Sequence, residues 1–311
     1  MSDKKAKKHE LKRYNLEVLK NIMKIDLHCH SHYSDGHLSP AELLERAHTM
    51  QVDVLALTDH DTINGVQELI DLQESQRRKM SIVSGVEIST SWHGFDIHVI
   101  GLGVDHTDPL FVERLQQQCE RRNQRAQRID EKLQKAGVSG TLNEALALAG
   151  KGQITRAHFA RALIKKQVVS DMDGAFKRYL GKGKRAHVSP VWIINEEAIN
   201  WIHDAGGKAV LAHPGHYDMT AKWLRRLVAQ FAQAGGDGIE SNHPHLAPVK
   251  RNLIEEIAVQ HQLLASSGSD FHFPSRWTEL GKNLKISDKL TPIWHDWNID
   301  THTQRVGNGP N

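Results

Sequence analysis

Short apolar runs alternate with longer helical patterns along most of this chain, and that alternation restricts the fold more than any other feature. Strand-like runs lie at 23–28, 52–57, 81–88, 96–102, 208–212, 238–241 and 263–267. Helix-like runs lie at 40–50, 64–79, 195–205, 221–234 and 247–260. Ser39 before Pro40 supplies an N-cap followed by a first-turn proline. Strands separated by helices of this length predict an α/β fold with a parallel sheet or barrel.

One region breaks the pattern. From about 108 to 191 there are helical patterns, at 110–136 and 156–168, and no convincing strand. This predicts a helical insertion at 108–191 between barrel segments at 23–107 and 192–290. An insertion on the active face is well placed to form a substrate lid. Residues 1–22 read as an extension, either a short amphipathic helix or a disordered arm, and residues 291–311 as a C-terminal tail. No run of eighteen apolar residues suggests a membrane span. The charged N-terminus does not read as a secretory signal. Two cysteines, Cys29 and Cys119, frame no disulfide network. A cytoplasmic location is therefore expected. The formal net charge of +3 tolerates an anionic substrate without establishing nucleic-acid binding.

Histidine is the compositional outlier, with 21 copies, and its placement is what counts. His28 and His30 are two apart on a strand, so their imidazoles project to the same side. Thr58-Asp59-His60-Asp61 follows an apolar strand. Glu87 is a lone carboxylate inside Gly85-Val86-Glu87-Ile88, where burial demands a partner or a metal. His98 lies in the next strand, His213 ends another, and Asp270 and His272 repeat the two-residue spacing. Any one of these could be a capped strand end or a satisfied core histidine. Together they bring His, Asp or Glu to one strand end after another. In a parallel barrel those ends meet on one face, which predicts a multimetal site. Mixed imidazole and carboxylate ligands without thiolate suit Mn²⁺, Zn²⁺ or Fe²⁺.

The segments DLHCHSHYSDG, LTDHDT, GVEIS, AHP and SDFH, with His98, resemble the PHP family, the polymerase-and-histidinol-phosphatase superfamily. The resemblance implies a distorted (β/α)7 PHP barrel with a helical insertion and a trinuclear metal centre, Mn²⁺ by family association. Carried onto matching positions, it implies that His28, His30, Glu87 and Asp270 hold one ion. Glu87 bridges to a second, completed by His98 and His213, and Asp35, His60 and His272 hold the third. In many relatives a histidine stands where Asp35 does, and His32 is a nearby competitor. The expected chemistry is attack by a metal-bridging hydroxide on phosphorus, with Glu87, Asp270 and His272 at the catalytic centre. Asp26, Asp59 and Asp61 are candidates for orienting the ligand imidazoles.

LSPAELLERA, LALTDHDT and GVEISTSWHG resemble the bacterial RNase AM branch, which acts on 3′,5′-nucleotide bisphosphates and 5′-phosphorylated RNA ends. This implies a nucleotide or RNA substrate; the absence of an apolar run predicts no membrane association, and no obligate protein partner is inferred. Candidate phosphate contacts are Arg156 and His158 at a helix start, Lys184 and Arg185 in a basic loop, and Arg125. Arg121, Arg125 and Arg128 share one predicted helix face, which a solvated stripe also explains. A metal-bound water and His243 are the candidate proton donors to the leaving oxygen. Trp92, Phe95 and Tyr217 are candidates for base stacking. Histidinol phosphatase is the alternative activity. A non-catalytic polymerase-associated module and an amidohydrolase are further alternatives. The complete ligand set opposes the former, and the lack of a lysine in the clusters opposes the latter.

Overall fold

The computed structural model describes residues 23–189, 191–276 and 278–297. The expectation for residues 1–22 lies outside them.

The barrel strands are β1 (Ile25–Asp26), β2 (Val54–Leu57), β3 (Ser81–Trp92), β4 (Phe95–Leu102), β6 (Lys208–Leu211), β7 (Gly238–Asn242) and β8 (Leu264–Ser267). They follow one another in that order around a nearly closed barrel, and short β5 (Ile193–Ile194) pairs with β3 outside the path. The ends of the path meet where Leu27 N–H donates to the Ser267 carbonyl at 3.1 Å and Asp270 N–H to the His28 carbonyl at 2.9 Å. Gly268 permits that approach, because a Cβ there would lie 2.1 Å from the His28 Cβ.

The alternation predicts a parallel barrel, but one strand departs from it. β4 runs antiparallel to both β3 and β6. Trp92 pairs with Phe95, so His93 and Gly94 alone make the turn. Both have positive φ, 46° and 77°, as a tight two-residue hairpin requires. Reversal of β4 is the distortion in this barrel.

The outer helices are α1 (Pro40–Thr49), α2 (Asn64–Glu74), α7 (Asn195–Asp204), α8 (Ala221–Gln233) and α9 (Pro248–Gln260). Ser39 and Glu42 form a complete capping box on α1, which buries Leu43, Leu44 and Ala47. α2 stops at Glu74, short of the expected residue 79.

Between β4 and β5 run α3 (Pro109–Lys135), α4 (Thr141–Ala149), α5 (Arg156–Lys165), α6 (Met172–Ala175) and a π-helical turn at Phe176–Leu180. No strand occurs there among the described residues. α3 joins two cores. Phe111 and Leu115 belong to the barrel cluster. Ala126, Ile129 and Leu133 belong to a second cluster with Phe159, Leu163 and Leu180. Burying such a side chain stabilises by about 1.5–3 kcal/mol. Residues 291–297 were expected to be tail, but Ile293 N–H donates to the Ala265 carbonyl, and Ile293 and Trp294 are buried. No described helix is long and apolar enough to cross a membrane.

Candidate metal centre

The nine candidate ligands converge on one barrel mouth. His28 and His30 follow β1, with Nε2 atoms 3.1 Å apart. Cys29 between them points the other way, its thiol donating to the Ala56 carbonyl within a core that includes Leu55 and Leu57, as strand alternation predicts. His213 follows β6, and Asp270 and His272 follow β8. His98 arrives differently. It lies inside the reversed strand, opposite Ser89, and so reaches the same mouth from near the start of β4.

Glu87 is fully buried at the centre. Its Oε1 lies 2.9 Å from both His98 Nδ1 and His213 Nε2. Its Oε2 lies 2.9 Å from His60 Nδ1, 3.3 Å from His30 Nε2 and 3.4 Å from His28 Nε2. One carboxylate thus faces two groups of imidazoles with its two oxygens. Asp270 Oδ1 is 3.3 Å from His30 Nε2 and 3.4 Å from His28 Nε2. Asp35 Oδ1 is 3.2 Å from His272 Nε2 and 3.7 Å from His60 Nε2. His32 is exposed against Tyr33, so Asp35 is the residue directed into this group.

These donors fit cations. Asp35 Oδ1, His60 Nδ1, Glu87 Oε2 and His213 Nδ1 are buried, and despite the close approaches of imidazole to carboxylate none makes a hydrogen bond of good geometry. Leaving such atoms unsatisfied costs about 1–3 kcal/mol each, which a shared ion offsets. Three groups of donor atoms lie within coordination range of one another: His30, Asp35, His60 and His272; His28, His30 and Glu87; and His60, Glu87 and His98. His60 and His30 therefore each belong to two groups, a finer division than the family pattern implied. Burial would raise the Glu87 pKa, but His98, His60 and His28 hold it well below the usual carboxylate range. His213 and Asp270 have positive φ, 27° and 49°, a conformation costly for residues with side chains and concentrated at functional sites.

The supporting carboxylates differ from expectation. Asp59 reaches an imidazole indirectly: it accepts from the Ser34 hydroxyl at 2.5 Å, and that hydroxyl lies 3.3 Å from His30 Nδ1. Asp26 instead accepts backbone N–H groups of Ser269 and Gly281, both at 2.8 Å. Asp61 accepts Ser89 N–H at 2.7 Å and pairs with Arg122. Both hold neighbouring chain segments rather than ligand rings. The residue that sequence reasoning missed is Glu240 on β7, fully buried. Its Oε1 lies 3.1 Å from His28 Nδ1, and its Oε2 accepts His213 N–H at 2.5 Å. Its strand, Gly238–Asn242, carries one apolar residue, so the signal that marked Glu87 is much weaker here.

A cavity of about 150 Å³ opens from the Asp35, His60 and His98 side of this cluster towards α3 and α5. Arg122, Arg125, Arg156, Phe176 and Trp192 also line it. The inward stripe of α3 is Gln118, Arg122 and Arg125, all buried. Arg128 is exposed and Arg121 only half-buried, so the stripe expected at 121, 125 and 128 is replaced by one phased through Arg122. Both buried guanidinium groups lie 5.0 Å from the Trp192 ring. Asp96 holds Arg125 at 3.1 Å and Arg156 at 3.2 Å. Burial would raise the Asp96 pKa, but Arg156 and Arg125 keep it low.

The other substrate candidates lie elsewhere. His158 Nδ1 accepts Thr155 N–H at 3.0 Å and caps α5. Burial pushes its pKa down to about 4, so it is a neutral structural residue. Lys184 and Arg185 line a separate exposed hollow with Lys177 and Arg178. His243 is buried against His216, which stacks on His213. Trp92 is buried against Trp223, Phe95 carries the Lys182 ammonium at 4.0 Å, and the Tyr217 hydroxyl accepts His98 N–H at 3.0 Å. None of these three lines the arginine cavity.

The PHP domain pattern matches residues 26–188. The 5′-3′ exoribonuclease Rnm of Escherichia coli (strain K12) is 46% identical over 278 residues, covering 89% of this chain and 95% of the relative. The 3′,5′-nucleoside bisphosphate phosphatase of Chromobacterium violaceum is 40% identical over 272 residues, covering 86% and 93%. A solved structure described as an amidohydrolase from Chromobacterium violaceum, with bound sulfate and no metal, superposes with a TM-score of 0.81 at 39% identity. It covers 87% of this chain and 94% of that one.

Proposed function

This chain belongs to the PHP family, and we propose that it is a metal-dependent phosphoesterase cleaving the 3′-phosphoester of 5′-phosphorylated nucleotides. It acts as a 3′,5′-nucleotide bisphosphate phosphatase, as a 5′-to-3′ exoribonuclease, or as both. The bond broken is P–O3′ in either case. A bisphosphate yields the 5′-nucleotide and inorganic phosphate. An RNA end yields the 5′-nucleotide and a shorter RNA with a new 5′-phosphate.

The observation that carries this reading is the cavity, whose lining combines His60, His98 and Asp35 with Arg122, Arg125 and Arg156. That is the layout for a substrate with one reacting and one non-reacting phosphate. His28, His30, Glu87 and Asp270 would hold one cation, Glu87, His98 and His213 a second, and Asp35, His60 and His272 a third. Mn²⁺ is the favoured ion, with Zn²⁺ or Fe²⁺ as alternatives. Bound cations neutralise phosphoryl oxygens and make a nucleophilic water available near neutral pH. Arg125 and Arg156 bind the non-reacting 5′-phosphate, and Asp96 keeps both guanidinium groups at the cavity wall. Phe176 and Trp192 exclude water from part of the cavity.

The test is reconstitution with Mn²⁺, Zn²⁺ or Fe²⁺ and comparison of four substrates. Turnover of 3′,5′-bisphosphoadenosine and 5′-phosphorylated RNA, with 5′-hydroxyl RNA left intact, is expected. Equal turnover of both RNAs removes the end-recognition role of Arg125 and Arg156. Activity on histidinol phosphate alone replaces the reading with a phosphomonoesterase.

A further inference from the structure

The arginine cavity accounts for the first nucleotide of an RNA end and leaves the second without a place. The second nucleotide is attached to the reacting phosphorus, so it must leave the metal centre by another side. Beside Asp35 and His272 stands a pair of aromatic rings. His37 and Phe273 are stacked, with centroids 4.9 Å apart and planes at 23°. Both are exposed, Phe273 at 46%. A single exposed apolar ring is unremarkable in a folded surface. This pair is tied to the metal centre from both chain segments. His37 lies two residues after Asp35, Phe273 directly follows His272, and His37 N–H donates to the His272 carbonyl at 2.7 Å. Arg161 of α5 donates to the Asp35 carbonyl, which places a cation at the same edge.

Resting on the phosphoesterase reading above, we propose that the His37–Phe273 pair is a stacking platform for the base of the second nucleotide, with Arg161 beside its phosphate. Every base offers a π-face, so the platform binds without reading sequence. Arg161 adds the charge that backbone phosphates attract. A 3′,5′-bisphosphate has no second base and gains nothing from it. The platform is therefore what adapts a nucleotide phosphatase site to an RNA chain.

The experiment uses the metal-loaded full chain and three substrates. These are 3′,5′-bisphosphoadenosine, the 5′-phosphorylated dinucleotide pApA, and the same dinucleotide lacking its second base. Wild-type protein is expected to show a KM about tenfold lower for pApA than for the abasic dinucleotide. Phe273→Leu should abolish that difference, and Phe273→Tyr should restore it. A wild-type enzyme indifferent to the second base overturns the platform, as does a Phe273→Leu protein that keeps the preference. Hydrolysis of the bisphosphate but neither dinucleotide also overturns it and narrows the function to a phosphatase. Hydrolysis of none of the three overturns the phosphoesterase reading itself.

Discussion

Replacing Glu240 with glutamine tests how this site is held together without touching a candidate ligand. Glu240 uses both oxygens as acceptors, one for His28 Nδ1 at 3.1 Å and one for His213 N–H at 2.5 Å. The first contact places the His28 proton on Nδ1 and leaves Nε2 as the donor facing Glu87 and Asp270. A glutamine has one carbonyl and one NH2 group. If its carbonyl takes His213 N–H, its NH2 faces His28 Nδ1, the ring proton moves to Nε2, and His28 binds a cation only at the cost of reversing that tautomer. If the amide flips, a buried backbone N–H is left unpaired, costing about 1–3 kcal/mol. Such supporting contacts change metal affinity about 10- to 100-fold, or about 1.4–2.7 kcal/mol. Isothermal titration with Mn²⁺ and Zn²⁺ measures the affinity, and circular dichroism establishes that the variant is folded. A folded Glu240→Gln protein with unchanged affinity would refute the tautomer argument. Restoration of kcat by excess metal would support it, because the ligands themselves remain.

Other consequences can be measured as directly. Glu87→Gln removes the charge shared by two imidazole groups and should lose bound metal and nearly all activity, read by elemental analysis and turnover. Arg122→Ala strands the buried Asp61 carboxylate and should destabilise the fold by about 3–5 kcal/mol in urea denaturation. Adding Asp61→Asn should recover part of that loss. Metal uptake should strengthen with pH. Burial disfavours the protonated imidazoles, yet Glu240, Glu87 and Asp270 hold His28 well above its usual pKa. Likewise, Asp270 and Glu87 raise His30 to about 10. Pairing of these protonated rings stabilises the ion-free fold fully below about pH 6.5, and this contribution fades as pH rises towards 10. Cations must displace the same protons. Affinity should therefore climb between pH 6 and 9, with proton release visible as a buffer-dependent binding enthalpy.

Much of the site is legible from local spacing in the sequence. His28 and His30 share a face because strand side chains alternate, and Cys29 is buried for the same reason. The direction of β4 is less apparent, although His93-Gly94 between two apolar runs is a two-residue hairpin signal. Without that reversal His98 looks like one more strand-end ligand. The expected arginine stripe is out of phase by one residue, or about 100° of helix. Leu115, Ala126, Ile129 and Leu133 already fix the inward phase of α3, and Arg122 falls in it where Arg121 does not. An arginine in phase with apolar residues needs a buried acid, and Asp61 comes from a distant loop that spacing cannot supply. Glu240 escapes a reading of the sequence because its short strand carries one apolar residue, so nothing local marks the carboxylate as buried. Its role exists only once β7 lies beside the His28 and His213 loops.

Arg122 also bears on how substrate enters. It sits midway along α3, and its partner Asp61 follows His60 directly. Swinging α3 outward would either break a buried ion pair or drag the His60 loop with it. Arg122 and Asp61 thus tie α3 to the loop that carries His60. A cavity wall anchored in this way would admit a strand by its terminus more readily than by its middle. Preference for ends over internal bonds would then follow from that anchoring.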